Sequence, residues 1–262
     1  MTPFFESVAQ REVRLTALDA TVKVPIFYED TTSMNAVFTA STARVAELLP
    51  HPDLHPVELR RGRCLLNVAG FEYRRSGLGV YNEVAIAASV TFGRRAVRLL
   101  DAAAALVRHA FSLHILHLPV TTELARVGGV EVYGYPKFLA DITFTRGERR
   151  LACTLAEGGA RILALAGEDL GRYGHRKLHV TTWSMKGVTL LRTAIEFDDL
   201  ELAETLRRRA AALELGSEHR VARQLGALDI DPRPLLFQMS PRGRSILFEP
   251  HPAHEAMGKV AA

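Results

Sequence analysis

Polar and apolar residues alternate along much of the chain, which is the period of a strand with one buried face. Residues 63–73, 81–92, 137–145, 151–155, 160–166 and 188–197 carry this pattern and are predicted strands. Gly147-Glu148 and Gly158-Gly159 fall between neighbouring runs and predict hairpin turns. Consecutive strands joined by short turns imply an antiparallel, strongly curved sheet rather than repeated βαβ units. Helical spacing is rarer. It is predicted for 41–49, capped by Ser41 and stopped by Pro50, and for 94–109, with Val97, Leu100 and Ala104 on one face. It is also predicted for 198–213, acidic at Asp199 and Glu201 and basic at Arg207-Arg208-Arg209, and for 217–225. No repeat, low-complexity linker or composition break divides the chain, so one α+β domain over residues 1–262 is expected.

Composition narrows the function. The chain has 262 residues, 48% hydrophobic and 24% charged, as in an ordinary soluble globular protein. No apolar run reaches the ~18 residues that suggest a membrane span. Residues 1–14 contain Glu6 and Arg11 and no apolar signal core, so a secretory leader is not expected. Cys64 and Cys153 lie in apolar, strand-like stretches and read as reduced core residues, which predicts a cytoplasmic protein. The net charge of +4 comes from scattered residues without a nucleic-acid-binding motif, so no such partner is expected. His114 and His117, three apart in a strand-like run, face opposite sides, and no His-Glu-x-x-His or Cys-x-x-Cys pattern exists. Neither a metal nor an organic cofactor is expected.

Candidate chemistry centres on Gly134-Tyr135-Pro136-Lys137-Phe138. The chain takes its positive charge from arginine, and its lysines are Lys23, Lys137, Lys177, Lys186 and Lys259. A lysine set among aromatic residues therefore calls for its own explanation. Arginine keeps its proton, whereas a desolvated lysine amine can lose it and attack a carbonyl. Tyr135 and Phe138 are bulky and non-basic, and Phe138 is the predicted desolvating neighbour. Pro136 cannot donate a ladder hydrogen bond, so Lys137 is expected to open a strand after a bend. Gly128-Gly129 is read as a turn leading into this segment. Glu83, between Tyr81-Asn82 and the apolar run 84–90, is a candidate for substrate orientation or proton transfer. The ordinary alternatives are a lysine at a strand edge with its head in water, and a surface ion pair for Glu83.

Gly129-Val130-Glu131-Val132-Tyr133-Gly134-Tyr135-Pro136-Lys137 resembles the active-site segment of the acetoacetate decarboxylase family. Asn35, the run Gly77-Leu78-Gly79-Val80-Tyr81-Asn82-Glu83 and the stretch 216–228 agree in order, so the resemblance spans roughly residues 20–248. It implies a curved, cone-like sheet, Lys137 as Schiff-base nucleophile, Glu83 as catalytic acid or base, and a homo-oligomer. Tyr81, Tyr135, Phe138 and Glu131 would then bind substrate, although Arg126 makes a salt bridge an equal reading for Glu131.

Three positions depart from the family pattern. Phe138 stands where relatives carry a second lysine, an expected acid falls on Asn67 or Val68, and an expected arginine falls near Thr31. These departures predict weak decarboxylation of acetoacetate. The expected activity is that of a Schiff-base lyase acting on an oxo acid or ketone. An aldolase or aldolase-dehydratase on pyruvate-like substrates, and a non-catalytic small-molecule-binding protein on the same scaffold, are the alternatives.

Overall fold

A computed structural model describes residues 3–253 of the chain, so Lys259 lies outside the described residues. A short helix, α1 (Pro3–Glu6), precedes the hairpin of β1 (Arg11–Leu15) and β2 (Ala20–Val24). The long β3 (Ile26–Ser41) is followed by α2 (Thr42–Ala46) and the short strands β4 (Leu54–Pro56) and β5 (Glu58–Arg60). Next come β6 (Arg63–Ser76), β7 (Tyr81–Phe92), α3 (Leu100–Arg108), β8 (Ala110–His117) and α4 (Glu123–Tyr133). Three meandering strands follow, β9 (Asp141–Gly147), β10 (Arg150–Glu157) and β11 (Ala160–Glu168). The chain ends in β12 (Gly174–Lys186), β13 (Thr189–Thr205), β14 (Ala211–Leu215), α5 (Arg220–Ala227), β15 (Leu236–Leu247) and β16 (His251–Pro252).

Strands β7-β8-β12-β13-β15-β3-β6 pair in that order, and β6 pairs back onto β7, so the sheet closes on itself. Every junction is antiparallel except β8 with β12. A smaller sheet, β14-β11-β10-β9, packs against the outside of the barrel. The fold is therefore α+β on a strongly curved, mostly antiparallel sheet, as expected.

Alternation in the barrel strands separates two apolar layers rather than core from water. Ser33, Asn35 and Val37 of β3 face an internal cavity, while Met34, Ala36 and Phe38 join the core under the small sheet. With much of both faces buried, β3, β12 and β15 lack a simple polar-apolar code and the sequence pattern does not mark them, whereas β8 coincides with the strand-like run around His114 and His117. The second core closes the end of the barrel where β3 and β7 begin. There α4 and the β1–β2 hairpin bring Leu15, Val22, Ala125 and Val127 onto Tyr28, Tyr81 and Leu247. Among the described residues no helix is long and apolar enough to cross a membrane.

The helix expected over 198–213 is not formed: β13 runs to Thr205 and β14 begins at Ala211. Bulges after Asp199 and Glu201 shift the register, which imitates helical spacing in the sequence. The Arg207 and Arg208 guanidiniums pair with Glu168 and Asp231 rather than with a helix terminus. The Gly128-Gly129 pair does not turn the chain but lies buried inside α4. The helix expected over 94–109 is confined to Leu100–Arg108, and the strand expected from Lys137 starts at Asp141. The hairpin glycines fall where expected, with Gly158 and Gly159 at φ of 58° and 79°.

Phe237, fully buried on β15, crosses from the barrel to the small sheet and lies against Gly167 of β11, where a Cβ would overlap its ring. Phe237→Ala should lower unfolding stability by about 3–5 kcal/mol in urea titrations. The same measurement on Val188→Ala, 96% exposed in a turn, should move by less than about 0.5 kcal/mol.

Candidate active site

Lys137 is placed by the backbone on either side of it. Helix α4 ends at Gly134, whose φ of 63° is left-handed and whose missing Cβ leaves room for the Met185 carbonyl. The Lys137 amide donates to the Tyr135 carbonyl across Pro136, so the chain bends tightly before it extends. Residues 118–121 then act as a rung between this segment and the barrel. Leu118 and Val120 donate to the carbonyls of Pro136 and Phe138 on one side. On the other, Val84 donates to the Pro119 carbonyl and Thr121 to that of Asn82. The rung carries Lys137 to Glu83, near the start of β7.

The Lys137 side chain enters the barrel over Gly129, where a Cβ would overlap its Cδ and Cε. Its ammonium lies 2.5 Å from Glu83 Oε2, with the two side chains only 4% and 8% exposed. Tyr73 donates to the other Glu83 oxygen at 3.2 Å. Tyr28 and Tyr81 share a hydrogen bond at 3.1 Å, Tyr135 and Thr182 share one at 2.6 Å, and the Tyr81 ring centroid lies 5.7 Å from the ammonium. Burial pushes the phenols of Tyr28, Tyr73, Tyr81 and Tyr135 well up, the Glu83 charge adding to this in each, so they remain hydrogen-bond donors at neutral pH.

Lys137, Glu83 and Tyr135 line a cavity of about 160 Å³ inside the barrel, together with Tyr28 and Tyr73. Most of the remaining wall is apolar, including Phe71, Leu113, Ile115 and Phe197. Asp199, farther along β13, lines it as well. Burial pushes the Asp199 carboxyl up to about 6; a contact with Ser240 acts against this and the charge of Asp198 adds to it. The carboxylate fits because residue 243 is glycine: a Cβ there would collide with Oδ1. Asn35 also lines the cavity, donating to Gln238 at 3.0 Å.

The sequence-level candidates thus separate. Lys137, Glu83 and Tyr135 come together on the cavity, and Tyr81 supports them from behind through Tyr28. Phe138 does not line the cavity. Its ring stacks on His219 at 6.4 Å and lies 5.9 Å from the Arg220 guanidinium, so water is excluded from Lys137 by the barrel wall instead. Glu131 is turned out of the site, accepting from the Thr16 and Ala17 amides at 2.7 and 2.8 Å. These bonds hold its carboxyl below the usual range, and Arg126 pairs with Glu123 instead. Asn67 lines the cavity, whereas Val68 belongs to the outer core. Thr31 is buried with an unpartnered hydroxyl. Tyr28, Tyr73, Thr182 and Asp199 are cavity residues outside the sequence-level candidates, and Gly129, part of the family-like segment, makes room for the Lys137 stem rather than a turn.

The family model for acetoacetate decarboxylase matches residues 14–222. The chain belongs to the acetoacetate decarboxylase family. No curated protein matches it, while several solved structures share its fold. An acetoacetate decarboxylase from Legionella pneumophila superposes with a TM-score of 0.59 at 17% identity, with 87% of each chain covered. An acetoacetate decarboxylase-like enzyme from Sphingomonas wittichii gives 0.53 at 17% identity, covering 87% of this chain and 93% of its own. The enduracididine biosynthesis enzyme MppR, complexed with the condensation product of pyruvate and imidazole 4-carboxaldehyde, gives 0.57 at 14% identity over 87% and 88%. At these identities the structures establish a common fold, and this member's chemistry rests on its own residues.

Two outcomes follow from this geometry. Gly129→Ala should displace the Lys137 stem and reduce covalent capture of a carbonyl probe by about 100-fold. Far-UV circular dichroism should show α4 retained, because alanine favours helix over glycine by about 1 kcal/mol. The second outcome concerns pH. A carboxyl raised from 3.8 to about 6 keeps a proton that the unfolded chain has already lost, so wild-type stability falls as pH rises through that window. Asp199→Asn should therefore match wild type near pH ~3.5 and exceed it by about 3 kcal/mol above pH ~6.5, read by urea unfolding across pH.

Proposed function

We propose that this family member is a lyase-type enzyme in which Lys137 forms a Schiff base with an oxo acid or ketone. The observation that carries the reading is the Lys137 amine, buried in the cavity wall and in contact with one carboxylate, Glu83. The ammonium must give up a proton before it can attack, and Glu83 Oε2 is the acceptor within reach. The amine adds to the carbonyl carbon, and an amine proton passes to the carbonyl oxygen. Glu83 returns its proton to the carbinolamine hydroxyl so that it leaves as water, and the resulting iminium carries the positive charge opposite the restored Glu83 carboxylate. Tyr73, bonded to Glu83 Oε1, holds the carboxylate in place through this charge transfer.

Two routes lead on from the iminium. If a carboxyl group lies β to it, the C–C bond breaks, carbon dioxide leaves, and the electron pair moves to nitrogen as an enamine that takes a proton on carbon. Without that leaving group, Glu83 removes an α-proton, the same enamine forms, and its carbon attacks an aldehyde. The second route is supported by MppR, a protein of this fold that binds a condensation product of pyruvate and an aldehyde. The lysine itself is the electron sink on both routes.

Incubating the protein with oxo acids and ketones and then reducing with borohydride should add the probe's mass to the peptide carrying Lys137. Lys137→Arg should abolish this capture, because a guanidinium stays charged. Glu83→Gln should slow it by about 10²–10⁴-fold. Labelling at Lys23 or Lys186 instead, or at no lysine, would overturn the assignment and favour a binding protein. Carbon dioxide release from acetoacetate, measured beside consumption of pyruvate with an aldehyde, assigns the route.

A further inference from the structure

The cavity around Lys137 is not built for an anion. Among the described residues lining it, Lys137 is the one cation, and Glu83 already neutralises it. The other charged group, Asp199, is a carboxylate. Among the described residues, no arginine or histidine lines this cavity to receive a carboxylate beside the substrate carbonyl, and Arg108 lines only the neighbouring one. An oxo acid would bring a negative charge into an apolar space that holds two carboxyl groups, with no free counter-ion for it.

This cavity also has a neighbour. A second cavity, about 410 Å³, lies beneath α3 and shares Val37, Asn67, Phe111 and Leu236 with the first. These four residues stand toward the mouth opposite Lys137, as the polarity of β3 and β15 requires. The chamber is walled mainly by hydrocarbon, including Val57, Leu65 and Val90 of the barrel side and Ala102 and Ala105 of α3, and its charged lining residues are Arg108 and Asp101, the latter paired with Arg94. The two cavities thus adjoin, with the Lys137 amine on the wall of one and hydrocarbon over most of the wall of the other.

We propose that the substrate of Lys137 is an uncharged ketone or aldehyde whose apolar body extends toward the chamber under α3. This rests on Lys137 being the Schiff-base nucleophile and names the class of carbonyl compound it captures. For such a substrate no carbon dioxide can leave. The enamine must then arise by transfer of an α-proton to Glu83, with the C–H electron pair passing to the iminium nitrogen.

The test is borohydride capture by the full chain, read as intact mass, across 2-butanone, 2-hexanone, 2-octanone and 2-decanone, with 2-oxooctanoate as the charged match. The half-saturating concentration should fall about fourfold for each methylene added, as expected for burial of hydrocarbon. It should be at least about tenfold higher for 2-oxooctanoate than for 2-octanone. In Ala105→Phe, which fills the chamber, the series should level off at a shorter chain. A series flat with length, preferential capture of the oxo acid, or a series that climbs unchanged in Ala105→Phe would each overturn the inference while leaving the Schiff-base assignment intact. No capture at Lys137 by any probe would remove that assignment, and the inference with it.

Discussion

The site is organised by one ion pair held away from water. Neither Lys137 nor Glu83 is tolerable alone at its depth, since an isolated buried charge costs several kcal/mol even after the protein relaxes. A pair of this kind adds little net stability, because mutual attraction mostly offsets the loss of hydration. Apolar residues of similar volume would serve the fold at least as well. Its position on a cavity wall, flanked by Tyr73 and Tyr28, therefore fits the chemistry proposed for Lys137 better than a role in stability.

Glycine placement makes the pair possible. Gly129 lies one turn before the end of α4 and yields the volume that the lysine stem occupies, while Gly134 permits the left-handed residue that turns the chain toward Pro136. The 118–121 rung then sets the depth of the amine by backbone hydrogen bonds alone. A site braced in this way does not depend on the identity of Phe138. A phenyl ring can thus stand there without disturbing Lys137, its own packing being with His219 and Arg220.

What could be read in the residues follows from how local each signal was. The Gly-aromatic-Pro-Lys run and the Tyr81-Asn82-Glu83 step are short and contiguous, so Lys137, Glu83 and Tyr135 were legible. Tyr73 and Tyr81 are cross-strand partners around a glycine-containing turn, and that pairing was available in principle. Tyr28 and Thr182 reach the site only through barrel closure, which no local period encodes. Asp199 was hidden by the bulges that made β13 look helical. Glu131 matched by sequence position but faces outward, because helix α4 replaced an expected turn and set its side chain toward the β1–β2 hairpin.

Closure of the barrel has a further consequence that comes from counting. Strands around a ring can alternate direction throughout only if their number is even. Seven strands close this ring, so parity requires an odd number of parallel junctions, and β8 beside β12 supplies the single one. Parallel neighbours cannot be joined by a tight turn and need a long excursion of chain. That excursion, from His117 to Gly174, is the stretch that carries the 118–121 rung, α4, Lys137 and three strands of the small sheet. Lys137 thus occupies the one connection whose length the topology makes obligatory, where insertion and reshaping leave the alternating hairpins of the ring untouched.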